Sequence, residues 1–172
     1  MKTLTTSLAA LCFLLLVSSC GKETAASETE IPALLSALHL GMVEKAVTGD
    51  ADAQSGLGQM YYLGFGVPKD NNEAERWLLK SAHQGNAAAQ YTLGMMHAAG
   101  ELTPSSWNGH APEGDVAACA WLILSGLSGY AEAHSARDQI SAKMTPEQIA
   151  EAQELSKELL KQIEENKKKK AK

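Results

Sequence analysis

Two sixteen-residue stretches, thirty-six residues apart, constrain this chain more than any other feature in it. Gly49–Gly64 reads GDADAQSGLGQMYYLG and Gly85–Gly100 reads GNAAAQYTLGMMHAAG, with eight positions identical. The shared residues are mostly small: three glycines and two alanines, with a glutamine, a leucine and a methionine. A third start, Gly126-x-x-Gly129-x-x-x-Ala133-His134, drifts to Arg137 and Asp138 where the earlier units have Leu-Gly. Between the units lies a second element, Ala74-x-x-Trp77-Leu78 and then Ala118-x-x-Trp121-Leu122. Apolar residues recur at three- and four-residue spacing and glycines sit at the junctions, so each element is expected to be a helix. Two helices per roughly 36 residues predict an α-solenoid, in which each pair buries its faces only against its neighbours.

The small residues then acquire a mechanical role. Ala53 and Gly58, like Ala89 and Gly94, let helix backbones approach closely, while Leu57, Tyr61 and Trp77 fill the space beside them. Gly49, Gly85 and Gly129 suit the left-handed position that ends a helix before the chain reverses. The flanks complete the stack. Ile31–Thr48 forms an apolar-periodic helix with Pro32 in its first turn. Thr145-Pro146-Glu147-Gln148 is a capping box that opens a terminal helix. Along it Ile149, Ala152, Leu155, Leu159 and Ile163 make one apolar stripe, and Lys167–Lys170 close it as a solvated end. Seven helices are expected in all.

The repeat motifs, Ala-Gln-x-x-Leu-Gly and then Gly64-x-Gly66-Val67-x-x-Asp70-x-x-x-Ala74-x-x-Trp77, resemble the Sel1-like repeat family, relatives of the tetratricopeptide repeats. The resemblance covers about Ala46 to Ala136. It implies an all-α right-handed superhelix with capping helices at both ends. The second unit departs from the pattern, because ELTPSSWNGHAPEG replaces Gly-x-Gly-Val after Gly100 and Asp115 lies one residue closer to its tryptophan. The expected division is a first helix over 31–48, repeat one over 49–84 and repeat two with its loop insertion over 85–128. A degenerate third repeat and capping helix follow over 129–168, then a basic tail over 169–172.

The start of the chain is expected to lie outside this fold. MKTLTTSLAALCFLLLVSSC has a positive residue, an apolar core from Leu8 to Val17 and small residues, the build of a secretory signal peptide over 1–19. Its end, Val17-Ser18-Ser19-Cys20, resembles the bacterial lipobox, which implies acylation of Cys20, for instance by palmitate. Gly21 rather than aspartate follows, pointing to the outer membrane with the protein facing the periplasm. Residues 20–30 are polar, without apolar period, and read as a flexible tether. Cys12 leaves with the signal and Cys20 is acylated, so Cys119 has no disulfide partner and is expected to be buried and inert.

No catalytic constellation is apparent, and none of the five histidines stands in a metal-ligand spacing with another histidine or cysteine. His97 replaces a packing tyrosine and His134 a packing glutamine. The serine motif S-x-x-K occurs as Ser19-Cys20-Gly21-Lys22, across the expected cleavage site. The penicillin-binding or hydrolysing activity linked to the cysteine-rich branch of the family is therefore a remote alternative, and no enzyme activity, cofactor or metal is expected. A formal net charge of −5 argues against a nucleic-acid partner. By analogy with tetratricopeptide packing, a protein or peptide would bind in the concave groove at Asp52, Ser55, Gln59, Tyr62, Tyr91 and Met95, with Trp107 as a loop contact. The alternative is a structural spacer or assembly factor without a discrete ligand.

Overall fold

The junctions that open the two repeats are built from the same local parts. A side chain at the helix start accepts from the backbone three residues on: Asp50 Oδ1 from Ala53 N at 2.7 Å, and Asn86 Oδ1 from Ala89 N at 3.0 Å. Just before these caps the chain turns through Gly49 and Gly85 at φ 95° and 89°, and Gly129 at 93° repeats the turn for the third unit. A left-handed conformation disfavours any residue with a Cβ, so the expected role of these glycines is met.

In the computed structural model, which describes residues 30–102 and 114–171, these parts separate seven helices among the described residues. They are α1 (Glu30–Val47), α2 (Ala51–Leu63), α3 (Asn71–Ala82), α4 (Ala87–Ala98), α5 (Gly114–Leu127), α6 (Glu132–Ser141) and α7 (Pro146–Lys170). Residues from Leu35 onward pack as one unit, and the described part of the unit before it is the first turn of α1. Pairs α2/α3 and α4/α5 are the repeats, α3 packs on α4, and α5 carries both α6 and α7. The fold is an all-α solenoid.

The close approach inferred from small residues is present at the glycines within the pairs. A Cβ on Gly58 would lie 2.6 Å from Leu78 Cγ, and one on Gly94 would lie 2.8 Å from Leu122 Cγ and 3.1 Å from the Ala118 carbonyl oxygen. Leu57, Leu78, Leu93, Met96 and Trp121 fill the core around these contacts. Trp77, the counterpart of Trp121, is only half-buried, with Lys80 Nζ 4.0 Å from its ring centroid.

The repeated glutamine does more than pack. Gln54 donates to the Ala46 carbonyl at 2.9 Å, and Gln90 donates to the Ala82 carbonyl at 3.2 Å. Each carboxamide oxygen then accepts from the turn that ends its own pair: Gln54 from Gln84 at 2.6 Å, Gln90 from Ser128 at 3.2 Å. Ser81 and Ser125 add hydroxyl bonds to the carbonyls of Ala51 and Ala87 at 2.6 and 2.8 Å. Ala46 and Ala82 stand at the ends of their helices, where carbonyls lack intrahelical partners, and the glutamines give them a second donor beside the Gly49 and Gly85 amides.

At the C-terminal end the expected capping box forms. Thr145 Oγ1 accepts from Gln148 N at 3.3 Å while Gln148 Oε1 accepts from Thr145 N at 2.9 Å. Ala152, Ser156, Leu159 and Ile163 are the buried face of α7, with Ile149 and Leu155 half-buried beside them. The helix runs on through Lys170, so the lysines belong to its last turn, and Lys170 Nζ donates to the Gly49 carbonyl at 3.4 Å and to Gln84 Oε1. The second helix of repeat two begins at Gly114, which puts Asp115 in its first turn. In repeat one Asp70 instead stands outside the helix as its cap, accepting from Asn72 N and Glu73 N. The long loop's residues 103–113, and with them Trp107, lie outside the described residues, as do Cys20 and the rest of 1–29.

Candidate interaction surface

The first helices of the pairs, α2 and α4, bury one face each. On α2 it consists of Ala53, Gln54, Ser55, Leu57, Gly58 and Met60; on α4 it consists of Ala89, Gln90, Leu93, Gly94, Met96 and His97. The opposite side of α2 carries Asp52, Gln59 and Leu63, and that of α4 carries Met95. Gln59 and Met95 are thirty-six residues apart and occupy the same position in successive repeats. Gln59 is half-buried and Met95 is 37 % exposed. An amide and a thioether in one row suit recognition of extended peptide, since both adapt their shape and one can pair with a backbone.

Ser55 does not join them. It is buried, 4 % exposed, because it lies on the side of α2 that turns into the helix stack. Asp52 is exposed but already employed: its Oδ1 accepts from Asn86 Nδ2 at 2.8 Å, tying the start of α2 to the cap of α4.

The two tyrosines occupy separate surroundings. Tyr91 is half-buried and stacked on Tyr130, ring centroids 4.8 Å apart at 28°. Its equivalent in repeat one is Ser55. Tyr62 is half-buried against the core, under Lys69 Nζ at 5.2 Å from its ring, and its hydroxyl donates to Glu101. Burial first, and the Glu101 carboxylate second, push its pKa above the usual phenol value. Lys69 pairs with Glu101 at 3.6 Å, and Asn71 donates to the Glu101 carbonyl at 3.4 Å. Tyr62 thus closes a polar cluster where repeat one meets the loop of repeat two. Both rings have partners within the protein and both keep part of their surface open.

The remaining titratable groups do not converge. Among the described residues no three of His, Cys, Asp or Glu could hold a metal ion. His97 is buried, which pushes its pKa down to about 4. Cys119 is buried, and desolvation raises the pKa of its thiol, which suppresses the reactive thiolate. His134, expected at the edge of the core, is exposed instead. Its ring leans on Gly126, where a Cβ would lie 2.8 Å from the imidazole. Gly126 is the counterpart of Ala46 and Ala82, so glutamine-to-histidine and alanine-to-glycine changes occur together in the third unit.

The Sel1 repeat family matches residues 51–86 and 87–111, boundaries that fall at the starts of α2 and α4. A sel1-like repeat-containing protein of Acanthamoeba polyphaga mimivirus is 51 % identical over 41 residues, which are 24 % of this chain and 7 % of that protein. A protective antigen of uropathogenic Escherichia coli strains, solved by crystallography and described as displaying an SLR fold, superposes with a TM-score of 0.62 at 28 % identity. The match covers 71 % of this chain and 25 % of the antigen, so the chain spans a small part of either relative. Repeats of this kind are in general protein–protein interaction modules. With its repeats matched in sequence and its helix pairs superposed on that fold, the chain is a Sel1-like repeat protein.

Proposed function

We propose that this protein is a lipid-anchored module of the bacterial envelope, outer-membrane attached and facing the periplasm, that holds a protein or peptide against the open side of its first helices. The observation that carries the binding role is the tandem repeat itself: α2 and α4 spend one face on the core and leave Gln59 and Met95 in register on the other. Tyr62 and Tyr91 flank that row with partly open aromatic surface. Aromatic anchors of this kind contribute disproportionately to peptide affinity. The anchor rests on the amino-terminal sequence, an export signal ending in Ser18-Ser19-Cys20.

The test begins with affinity capture from envelope extracts and proceeds to titration of the captured partner. Met95→Ala, Tyr62→Ala and Tyr91→Ala should each weaken binding about tenfold if they contact the ligand, while Lys161→Ala on α7 should not. Affinity unchanged in all three, at unchanged helicity, removes the binding face from α2 and α4. Labelled palmitate should enter the wild-type chain and not Cys20→Ala; equal labelling defeats the anchor.

A further inference from the structure

The sequence reads the lysines that close α7 as a solvated end, yet one of them bridges two turns of the first repeat. Lys170 Nζ donates to the Gly49 carbonyl at 3.4 Å, in the turn between α1 and α2, and to Gln84 Oε1, in the turn between α3 and α4. Gln84 itself donates to Gln54 Oε1 at 2.6 Å, and Gln54 donates to the carbonyl of Ala46 on α1 at 2.9 Å. One ammonium group thus reaches α1 by two routes, directly at Gly49 and through two carboxamides at Ala46. A turn earlier on α7, Lys167 Nζ lies over Gly85, 2.6 Å from where a Cβ would stand. Both ammonium groups sit at C-terminal helix ends, those of α1 and α3, where the helix dipole is negative and favours a cation.

What they hold is lightly attached. Along 34–47, Ala46 alone is buried, with Leu35, His39, Met42 and Val43 half-buried. His39 adds a side-chain bond to the Tyr61 hydroxyl at 3.3 Å. By comparison, α3 buries Ala74, Glu75, Leu78, Ser81 and Ala82. The part of α7 that reaches this seam carries no apolar side chain. Its last buried residue is Ile163, whose Cγ2 would lie 3.5 Å from a Cβ on Gly85, and Glu164 to Lys170 are all charged or amide. About 10 Å of helix therefore spans from the Gly85 turn to the Gly49 turn on polar contacts alone.

We propose that the last two turns of α7 are an electrostatic latch: Lys167 and Lys170 hold α1 on the first repeat, and removing or screening their charge releases α1 while the other helices stay folded. Hydrogen bonds from an ammonium group are stronger than neutral ones, but at an exposed site they weaken as salt screens the charge. The apolar core beneath carries no charge to screen. A helix with so few buried contacts opens on its own, at a lower cost than global unfolding. The latch depends on neither the acyl anchor nor a peptide ligand. Its effect falls on α1, which stands in the chain between the amino-terminal segment and the repeats. Latched, α1 turns with the repeats as one body; released, it becomes a swivel and bares the side of α2 that holds Ala53 and Leu57.

Amide hydrogen exchange of the full chain, read by mass spectrometry, carries the test. In Lys167→Gln with Lys170→Gln, exchange across residues 38–47 should rise about tenfold at low salt, with α4 and α5 unchanged. Raising sodium chloride to about 1 M, where the screening length is about 3 Å, should bring the wild type to the variant's rate and leave the variant as it is. Lys170→Arg, which keeps the charge and the donors, should retain wild-type protection. Lys157→Gln with Lys161→Gln removes the same charge from the middle of α7 and should change nothing in α1. Protection of α1 that survives in the Lys167/Lys170 variant, or is lost equally in the Lys157/Lys161 control, overturns the proposal. So does faster exchange in α4 and α5 together with α1, which would make these lysines general stabilisers of the stack.

Discussion

A missing methyl group decides more in this molecule than any charged one. Gly94 sits where a Cβ would be 2.8 Å from Leu122 and 3.1 Å from a backbone carbonyl, so the pair can give only by moving a helix. Gly94→Val should cost about 2–3 kcal/mol in chemical denaturation. Gly41, in α1 with nothing within 4 Å of a built Cβ, behaves oppositely. Gly41→Ala should raise stability by about 0.5–1 kcal/mol, because an unconstrained glycine in a helix only adds chain entropy to the unfolded state. Similar effects of the two changes would contradict the packing account. His97 predicts a pH effect. Its folded pKa of about 4 lies below the ordinary 6.5, so the unfolded chain binds the proton first as pH falls. Its contribution is whole above pH 6.5 and is lost progressively down to about 4, at most about 3 kcal/mol. His97→Tyr, which restores the residue of repeat one, should flatten that acid limb of a stability-versus-pH profile.

At the scale of elements, the helices and their order were legible in the sequence because period, caps and turn glycines agreed at the starts of both repeats. The apolar stripe of α7 was legible for the same reason, and Ser156 joined its buried face because a small hydroxyl can bond its own backbone, here the Gln153 carbonyl at 2.7 Å. Surface assignments transferred less well. Ser55 was placed in a groove by analogy of position, yet it is buried although it lies only about 40° around α2 from half-buried Gln59. The ladder role of Gln54 and Gln90 was also hidden, since sequence shows that a glutamine recurs and not which carbonyl it meets. Gln90→Leu should cost about 1 kcal/mol by removing its bonds to the Ala82 carbonyl, which keeps the Gly85 amide, and to the exposed Ser128 hydroxyl. Gln153→Leu, on the exposed side of α7, provides the comparison in thermal melts and should stay within about 0.5 kcal/mol.

Over the whole molecule the two ends of the stack are finished differently. α7 lays Leu159 and Ile163 on the cluster of Trp121 and Leu124, and turns Glu and Lys outward. α1 lays Val43 and Ala46 on Leu57 and leaves leucines outside. A chain ending after Ser141 should lose about 3–6 kcal/mol from the uncovered side chains. It should also melt over a broader range and bind a hydrophobic dye, and a truncated chain as cooperative as the full one would show that α7 is dispensable. The glutamine ladder has a further consequence for how such a chain changes length over generations. Its seam bonds, Gln54 to Ala46 and Gln90 to Ala82, both span eight residues and the others stay inside one pair, so a copied stretch such as 51–86 would bring its own donor and acceptor to both new seams. Duplication or loss of one unit then leaves the rest of the stack in register, and the length of the array can drift under selection without its joints being rebuilt.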